Sequence, residues 1–347
     1  MKRSYQLVVA LVLSVSAAFA QNTQPTTDPV AENMLLYQRN VGGWPKAVGE
    51  VKVDYNKTLT DEQKAATKAG GSRIDATIDN SATYKEINYL VNAYSQTKNK
   101  AYLQSAEKGI RFLLKAQYAN GGWPQYYPDS ALYRSQITFN DNAMINVMEI
   151  LNNLANRTKG FEVVDQALVA PAADAVKRGI DCILKTQIKV NGKLTAWNQQ
   201  YDKRTLQPVA ARKFELVGLS SSESVAIVEF LMHVPSPSAQ IKEAVKSAVV
   251  WFDAVKITGY RFDHIQDDKQ PTKKDGVLVD DPSSVIWSRY YEIGTNRPFF
   301  SGRDGIKRYN LTEVENERRQ GYAWYGTWPK KILDKDYAAW LKKYNVN

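Results

Sequence analysis

Residues 115–124 read Lys-Ala-Gln-Tyr-Ala-Asn-Gly-Gly-Trp-Pro, and they end a segment whose apolar residues recur at helical spacing. Glycine favours a helix end, and Pro124 cannot continue a helix because it lacks a backbone N–H. We interpret Trp123 as a plug that fills the core beside this helix end. The alternative is that Trp123, or Trp44 in the matching Gly-Gly-Trp-Pro at 42–45, stacks on a sugar ring.

The unit that ends at residue 124 recurs along the chain. The segment around Gly109 and Lys115 matches the segment around Gly179 and Lys185, 70 residues later. A pair of helices cannot bury its apolar stripe alone, so stacked pairs must supply the core. The pattern therefore predicts an all-α fold, an (α/α)₃ toroid. The three predicted helix pairs lie at 79–114, 141–187 and 223–255.

The ends of the chain predict an exported protein with one large domain. Lys2 and Arg3 precede an apolar run and an Ala18-Phe19-Ala20 cleavage site, which is typical of a secretory signal peptide over 1–20. No later stretch resembles a transmembrane helix, so we expect no membrane attachment. The remaining expected parts are a flexible linker at 21–33 and a domain at 34–345, with its toroid at about 34–258 and an irregular lobe with short strands at about 259–345.

Composition narrows the function further. The net charge is +10, and loss of residues 1–20 leaves +8, which suits an acidic partner such as a polyanionic polysaccharide. The chain has 20 Tyr and 8 Trp, which suit sugar rings, and it has no recognised nucleic-acid-binding motif. The single cysteine, Cys182, excludes an intramolecular disulfide, and two isolated histidines leave no zinc or Ser-His motif.

Polar residues stand at equivalent places before the three inner helices. Asp79-Asn80 opens the first pair, Asp141-Asn142 opens the second, and the loop of Arg212 precedes the third. Each alone has a plain explanation, because Asp and Asn are common N-caps and Arg212 can pair with Glu215 at the surface. Their convergence at one mouth of a toroid favours a shared site. Two carboxylates there could act as acid and base, or could hold a hard cation such as Ca²⁺.

Several stretches in a fixed order carry a family resemblance. They are Asn40–Lys46, Thr77–Asn80, Asn120–Gln125, Thr138–Asp141, Ala211–Glu215, Tyr290–Ile293 and Arg297–Gly305. Together they resemble the pectate lyases of polysaccharide lyase family 10, over roughly residues 34–341. One departure is Leu-Val-Gly-Leu at 216–219, where the resemblance predicts Leu-Pro-Ser-Leu.

The resemblance implies a fold and a set of catalytic residues. The fold is an (α/α)₃ toroid with an irregular second lobe. Arg212 matches the catalytic arginine, Asp79 and Asn80 match an essential acidic site, and Asp141 matches a calcium-binding aspartate. We therefore expect Arg212 and Asp79 to be catalytic, Asn80 to bind substrate, and Asp141 and Asp79 to hold Ca²⁺.

The resemblance also implies the substrate and the reaction. Arg289 and Arg303 match arginines that bind substrate carboxylates, and we expect Lys213 to assist them. Polygalacturonate carries a carboxylate on C5 of every ring, so removal of the C5 proton lets O4 leave and forms a C4=C5 double bond. An arginine base is unusual because guanidinium has a pKa above ~12, and we expect Ca²⁺ and Lys213 to push the pKa of Arg212 downward.

Two other functions stay open at the level of sequence. One is an inverting glycoside hydrolase on an α/α toroid, with Asp79 and Asp141 as acid and base. The other is a non-catalytic polyuronate-binding protein that uses Trp and Arg. In each case we expect a secreted monomer.

Overall fold

The computed structural model describes residues 26–129 and 131–346. The described residues are helix-rich, with 48% of the chain helical, and none of their sheets closes into a barrel. The predicted signal peptide at 1–20 lies outside them. None of the helices in these ranges combines the length and apolar character that a membrane span requires.

Ten α-helices are present in the described part of the chain. They are α1 Pro29–Tyr37, α2 Asp61–Ala69, α3 Tyr84–Thr97, α4 Lys100–Ala116, α5 Ala143–Ala155, α6 Val169–Thr186, α7 Ser221–His233, α8 Ala239–Ala254, α9 Asn316–Gly321 and α10 Tyr337–Tyr344. The predicted pairs are confirmed, because α3 packs on α4, α5 on α6 and α7 on α8. Neighbouring pairs stack as two rows: α3, α5 and α7 form an inner row, and α1, α4, α6 and α8 form an outer row.

Thirteen strands accompany these helices in the described residues, and most are two residues long. They are β1 Ala47–Val48, β2 Val51–Lys52, β3 Ile137–Thr138, β4 Lys189–Val190, β5 Lys193–Leu194, β6 Gln200–Tyr201, β7 Leu219–Ser220, β8 Ile257–Gln266, β9 Lys274–Ser288, β10 Tyr290–Tyr291, β11 Phe300–Ser301, β12 Lys307–Arg308 and β13 Tyr325–Gly326. Antiparallel pairs join β1 to β2, β3 to β6, β4 to β5, β7 to β10 and β11 to β12, while β13, β9 and β8 form one sheet.

The expectation of only short strands or coil after residue 259 is wrong. Strands β8 and β9, of 10 and 15 residues, form a long antiparallel hairpin. The pairing shifts register between Tyr260 opposite Asp280 and Thr258 opposite Val285, and Pro282 lies within this irregularity. Proline in a strand is tolerated at a bulge, so it does not end the strand as the sequence suggested.

The expected linker at 21–33 is also too long. Helix α1 begins at Pro29, five residues before the expected start of the domain, and the Asp28 side chain accepts hydrogen bonds from the backbone N–H groups of Val30 and Ala31. An Asp cap followed by proline in the first helical turn is a strong helix start. Residues 29–33 are therefore helical.

Four tryptophans occupy matching places at the ends of the outer helices. Each is at most 1% exposed, and each indole N–H donates to a backbone carbonyl of the preceding outer helix. The pairs are Trp44 with Met34, Trp123 with Leu113, Trp197 with Ile183 and Trp287 with Phe252, at 2.7–2.8 Å. The plug interpretation is confirmed for Trp44 and Trp123, since a fully buried indole cannot stack on a sugar.

A glutamine directly after each of the first three outer helices ties that helix to the next one. The side-chain Nε2 of Gln117 donates to the carbonyls of Gly121 and of Ala175 in α6. Gln38 and Gln187 make the matching bonds to α4 and α8. Residues 290–325 add a smaller aromatic core around Trp324, so the second lobe has apolar packing of its own.

Candidate active site

The two turns that carry Asp79 and Asp141 meet at the start of the inner helices. Asp79–Ser81 and Asn140–Asn142 are short 3₁₀ turns that contact each other, and the second also contacts α7. Asn80 and Asp141 have φ of 49° and 51°, in the left-handed region that non-glycine residues adopt rarely. The N-cap interpretation is wrong for both aspartates, because neither side chain caps its helix. Strained turns without a capping role are typical of functional sites.

Arg212, Asp79 and Asp141 line one cavity of about 180 Å³. Its other lining residues are Lys46, Asn80, Gln125, Tyr133, Asn140, Gln200 and Glu215. A second cavity of about 740 Å³ shares Lys46, Asn80 and Asp141 with the first, so the two form one cleft. Arg289, Glu223 and Trp328 line the larger part. The sequence argument predicted this convergence of positions 79, 141 and 212.

Asp79 is held by a lysine that the sequence argument did not select as a site residue. The buried carboxylate forms an ion pair with Lys46 through Oδ2, while its Oδ1 has no hydrogen-bond partner among the described residues. Burial alone would lower the pKa of Lys46, but the hydrogen bond and charge of Asp79 raise it above its usual value. The signal for Lys46 was its place in the Gly-Gly-Trp-Pro-Lys stretch quoted for the resemblance.

Arg212 forms a two-pronged ion pair with Glu215, so the surface pairing considered from sequence is present. This pair is not a fully exposed surface pair, because Glu215 is only 1% exposed while the Arg212 side chain is 43% exposed. Hydrogen bonds from Arg212 to this carboxylate raise the pKa of the guanidinium well above its usual value. The expected downward shift of the pKa is therefore wrong for the protein alone.

Arg289 is buried in the cleft wall and contacts an acid of α7 and an acid of the turn before α5. Its guanidinium pairs with Glu223 of α7 and lies 3.8 Å from Oδ1 of Asp141. Burial alone would lower the pKa of Arg289, but the charge of Glu223 raises it. Glu223 also accepts a hydrogen bond from Ser220, and α7 has no side-chain cap.

Comparison with known proteins identifies the family. A profile of the pectic acid lyase family matches residues 38–333. The chain belongs to the pectic acid lyase family.

Two solved structures agree with this assignment. A family 10 polysaccharide lyase from Cellvibrio cellulosa is similar at 36% sequence identity and a TM-score of 0.79, with 91% of each chain covered. An aspartate-to-alanine mutant of the family 10 lyase from the same organism, in complex with trigalacturonic acid, is similar at the same identity and TM-score over 89% of this chain and 91% of that one. No curated protein matches the chain significantly.

This polysaccharide lyase is therefore an enzyme, and the resemblance to family 10 is confirmed. Membership of this family excludes the two alternative functions that the sequence left open, a glycoside hydrolase and a non-catalytic binding protein.

Two of the expected substrate-binding residues lie away from the cleft of this pectic acid lyase. Arg303 lines neither cavity, is 62% exposed and forms a two-pronged pair with Glu317. Lys213 is exposed and packs beside Gly305 of the second lobe. Neighbouring positions in a loop point in different directions, so spacing alone could not tell Lys213 from Arg212.

The oxygen atoms around the smaller cavity fit the Ca²⁺ ion that family membership implies. No group of three or more His, Cys, Asp or Glu in the described ranges could hold a metal. Besides Glu215, which is paired with Arg212, the cavity presents the carboxylates of Asp79 and Asp141 and several amides. Buried oxygens of Asp79, Gln125 and Gln200 have no partner among the described residues. Ca²⁺ takes ~6–8 oxygen ligands, including amides and waters. The donor set therefore fits Ca²⁺ if substrate or water supplies the remaining ligands.

Proposed function

We propose that the protein is a secreted pectate lyase that cleaves α-1,4-linked polygalacturonate by Ca²⁺-assisted β-elimination. The observation that carries the proposal is the single cavity lined by Arg212, Asp79 and Asp141, with Lys46 beside them. A similar lyase has been crystallised in complex with trigalacturonic acid, which supports the class of substrate.

The cleft residues divide into groups that hold the substrate and a group that reacts. Arg289 and Lys46 supply positive charge in the cleft for ring carboxylates, and Asn80 offers an amide between the two cavities. We propose that Lys213 and Arg303, which lie outside the cavities, contact rings further along the polymer. Ring carboxylates recur on every residue of the substrate, so cations beyond the reacting ring still find partners.

The reacting group in this proposal is Arg212. A neutral Arg212 accepts the C5 proton, the C5–H electron pair forms the C4=C5 double bond, and the C4–O4 bond breaks with its electron pair on O4. The departing O4 takes a proton from solvent. The products are an oligogalacturonate with an unsaturated ring at its non-reducing end and a shortened chain whose new reducing end carries the departed oxygen as its C1 hydroxyl group.

Asp141 and Asp79 are the residues that would hold Ca²⁺, with amide oxygens from the cavity wall. The ion, when bound, supplies positive charge that stabilises the carboxylate beside C5 as negative charge develops there.

An arginine base makes the proposed reaction dependent on high pH. Arginine is protonated at neutral pH, and the hydrogen bonds to Glu215 raise the pKa of Arg212 further. Below that pKa, the fraction of neutral Arg212 rises about tenfold for each unit of pH. We expect turnover at saturating substrate to rise through the alkaline range without an intermediate plateau, until the protein unfolds.

Incubation with polygalacturonate tests the proposal directly. We expect ultraviolet absorbance of the unsaturated product in the presence of Ca²⁺ and its loss on addition of EDTA, with recovery on excess Ca²⁺. New reducing ends without ultraviolet absorbance would indicate hydrolysis, and retention of the polymer without shortening would indicate binding alone. Either of these results would contradict β-elimination.

Three further expectations belong to this proposal. We propose that the helix pairs close an (α/α)₃ toroid, supported by their two stacked rows and by the similar solved structures. Residues 1–20 support export, and a monomer is expected. Mass analysis of protein from the culture medium and size-exclusion chromatography test these points.

A further inference from the structure

We infer that Glu215 is the positioning residue of this site: together with Tyr322, it fixes the guanidinium of Arg212 so that Nη1 is the nitrogen left for the substrate. This inference rests on the proposed function, because it names the reacting atom of the proposed base. It extends that function by assigning roles to two residues that the reaction itself does not require.

Glu215 occupies one whole edge of the Arg212 guanidinium. Nε of Arg212 donates to Oε2 at 2.8 Å, Nη2 donates to Oε1, and the backbone N–H of Arg212 donates to Oε2 at 3.0 Å. Backbone hydrogen bonds from Glu215 to Arg212 and from Ala211 to Glu215 close the same turn. Nη1 has no partner among the described residues. Since Arg212 lines the cavity, the unpaired Nη1 is the guanidinium nitrogen available there.

Tyr322 of the second lobe contacts the carboxylate of Glu215 and packs against Phe214. Phe214 is buried, lies 4.8 Å from the Arg212 guanidinium, and meets Tyr322 edge to face at 5.5 Å. The hydroxyl of Tyr322 donates to Oε1 of Glu215 at 3.2 Å. A surface loop residue is thus connected to the core of the second lobe, which also contains Tyr290.

The number of hydrogens limits the direction of this network. The Tyr322 hydroxyl contacts the Tyr290 hydroxyl at 2.6 Å, and the Tyr290 hydroxyl donates to Oε1 of Gln199 at 2.6 Å when the amide is placed with its oxygen toward Tyr290. Two hydroxyl hydrogens cannot serve three bonds unless Gln199 supplies the third hydrogen. If Gln199 turns its Nε2–H toward Tyr290, all three bonds form, and Nε2 gains the partner that it otherwise lacks. Every donor in the chain then points toward Glu215.

A fixed guanidinium matters because arginine has many rotamers. Arg212 lies in the loop 202–218 and is 43% exposed, so without Glu215 its side chain would lose entropy on meeting the substrate. Restricting the base before the substrate binds favours the reaction, and a displacement of about 1 Å can reduce turnover by about 10²-fold. Glu215 is therefore expected to affect kcat much more than KM.

The experiment compares Glu215→Gln and Tyr322→Phe with two matched controls. Asp275→Asn removes the charge from a similar arginine fork, with Arg319, that lines neither cavity. Tyr325→Phe removes a tyrosine hydroxyl that has no partner among the described residues and lies in the same lobe. Each variant is assayed for kcat and KM on polygalacturonate and for Tm, and arginine side-chain NMR follows the Nε–H and Nη–H signals, assigned with Arg212→Lys.

We expect Glu215→Gln to lower kcat about 10²-fold with KM within about threefold, even though loss of the Glu215 charge lowers the pKa of Arg212 and favours its neutral form. The Arg212 Nε–H signal should move away from its hydrogen-bonded position. Tyr322→Phe, which leaves the fork intact, should lower kcat about fivefold. Asp275→Asn should lower Tm without lowering kcat, and Tyr325→Phe should change neither. Wild-type kcat in Glu215→Gln, or a loss no greater than that of Asp275→Asn at equal loss of Tm, overturns the inference.

The NMR measurement separates this inference from the proposed function. If Arg212→Lys keeps full turnover, the base assignment fails, yet the Arg212 signals still report whether Glu215 holds the side chain. If Arg212→Lys is inactive while Glu215→Gln leaves both turnover and the Arg212 signals unchanged, the base assignment stands and the positioning role is wrong.

Discussion

Each repeat contains a tryptophan and, two positions later, a residue near the cleft, and the two positions behave differently. The four tryptophans are identical, buried and hydrogen-bonded to an outer helix. The residues two positions later are of three types: Lys46, Gln125, Gln199 and Arg289. Lys46, Gln125 and Arg289 line the cleft, and Gln199 joins the network behind Arg212. In each repeat, the tryptophan therefore has the same packing role, while the residue two positions later has a role in or behind the cleft that differs from repeat to repeat.

The tryptophans explain how the backbone of the residues two positions later is held in place. The backbone N–H of Trp44 donates to Thr83 and that of Trp197 to Ser224, so these two tryptophans join an outer helix to the start of an inner one. A residue two positions later then starts from a fixed backbone, which is what a binding site requires. The cleft side is less satisfied: of nine buried side-chain atoms without a partner in the described residues, four belong to residues that line the cleft.

The largest expected effect is at Arg212. Arg212→Lys keeps the positive charge but removes the two-pronged contact with Glu215 and the proposed reacting nitrogen. We expect kcat on polygalacturonate to fall about 10³–10⁴-fold, equivalent to about 4–5.5 kcal/mol, with KM and Tm nearly unchanged. Arg204→Lys, on the same loop and exposed, is the matched control and should keep wild-type rates. A rate in Arg212→Lys close to that of the control would remove Arg212 from the reaction.

The second effect should appear in stability rather than in chemistry. Trp123→Ala removes a fully buried ring and its hydrogen bond to Leu113, and we expect the free energy of unfolding to fall by about 3–5 kcal/mol. Val250→Ala, at an exposed position on α8, should change it by less than about 0.5 kcal/mol. Urea unfolding measures both. If Trp123→Ala is as stable as Val250→Ala, the plug interpretation of the repeat fails.

The parts of the fold that depend on local sequence pattern, above all the helix pairs, could be predicted from the sequence. Apolar residues at the 3.6-residue period indicated the helices, and the recurrence of helix pairs placed Asp79, Asp141 and the loop of Arg212 at equivalent positions. Their convergence could therefore be predicted. The β8–β9 hairpin was missed because Pro282, which lies in a bulge of β9, indicates a break in the strand when only the local sequence is considered.

The sequence could not supply contacts that depend on tertiary packing. Tyr322 lies 107 residues from Glu215, and Arg289 lies 66 residues from Glu223, so neither pair has a local signal. The direction of the pKa shift of Arg212 was predicted wrongly for a related reason. Spacing showed that Glu215 was near, but only the fold shows that its carboxylate is buried and faces both Nε and Nη2.

The smallest expected effect concerns a buried acid that is neither a plug nor a cleft residue. Glu86 on α3 is fully buried; Tyr55 donates to its Oε1 at 2.8 Å, and its Oε2 has no partner among the described residues. Burial raises the pKa of Glu86, and nearby Lys85 offsets this only in part. The folded protein therefore holds this proton more tightly than the unfolded chain does.

The sign of the pH dependence follows from that difference. The contribution of Glu86 to stability is fully present below the pKa of about 4.3 in the unfolded chain, and it is lost as pH rises through the higher folded pKa. Glu86→Gln can still accept the hydrogen bond from Tyr55 but cannot ionise, so its stability should lack this fall and exceed that of the wild type by about 1 kcal/mol at alkaline pH. Urea unfolding from pH 4 to pH 9 measures the effect, with Glu62→Gln, exposed on α2, as the control. If the difference between Glu86→Gln and the wild type is the same at both ends of that range, Glu86 keeps one protonation state throughout. Glu86 would then contribute nothing to the pH dependence of the stability of the enzyme.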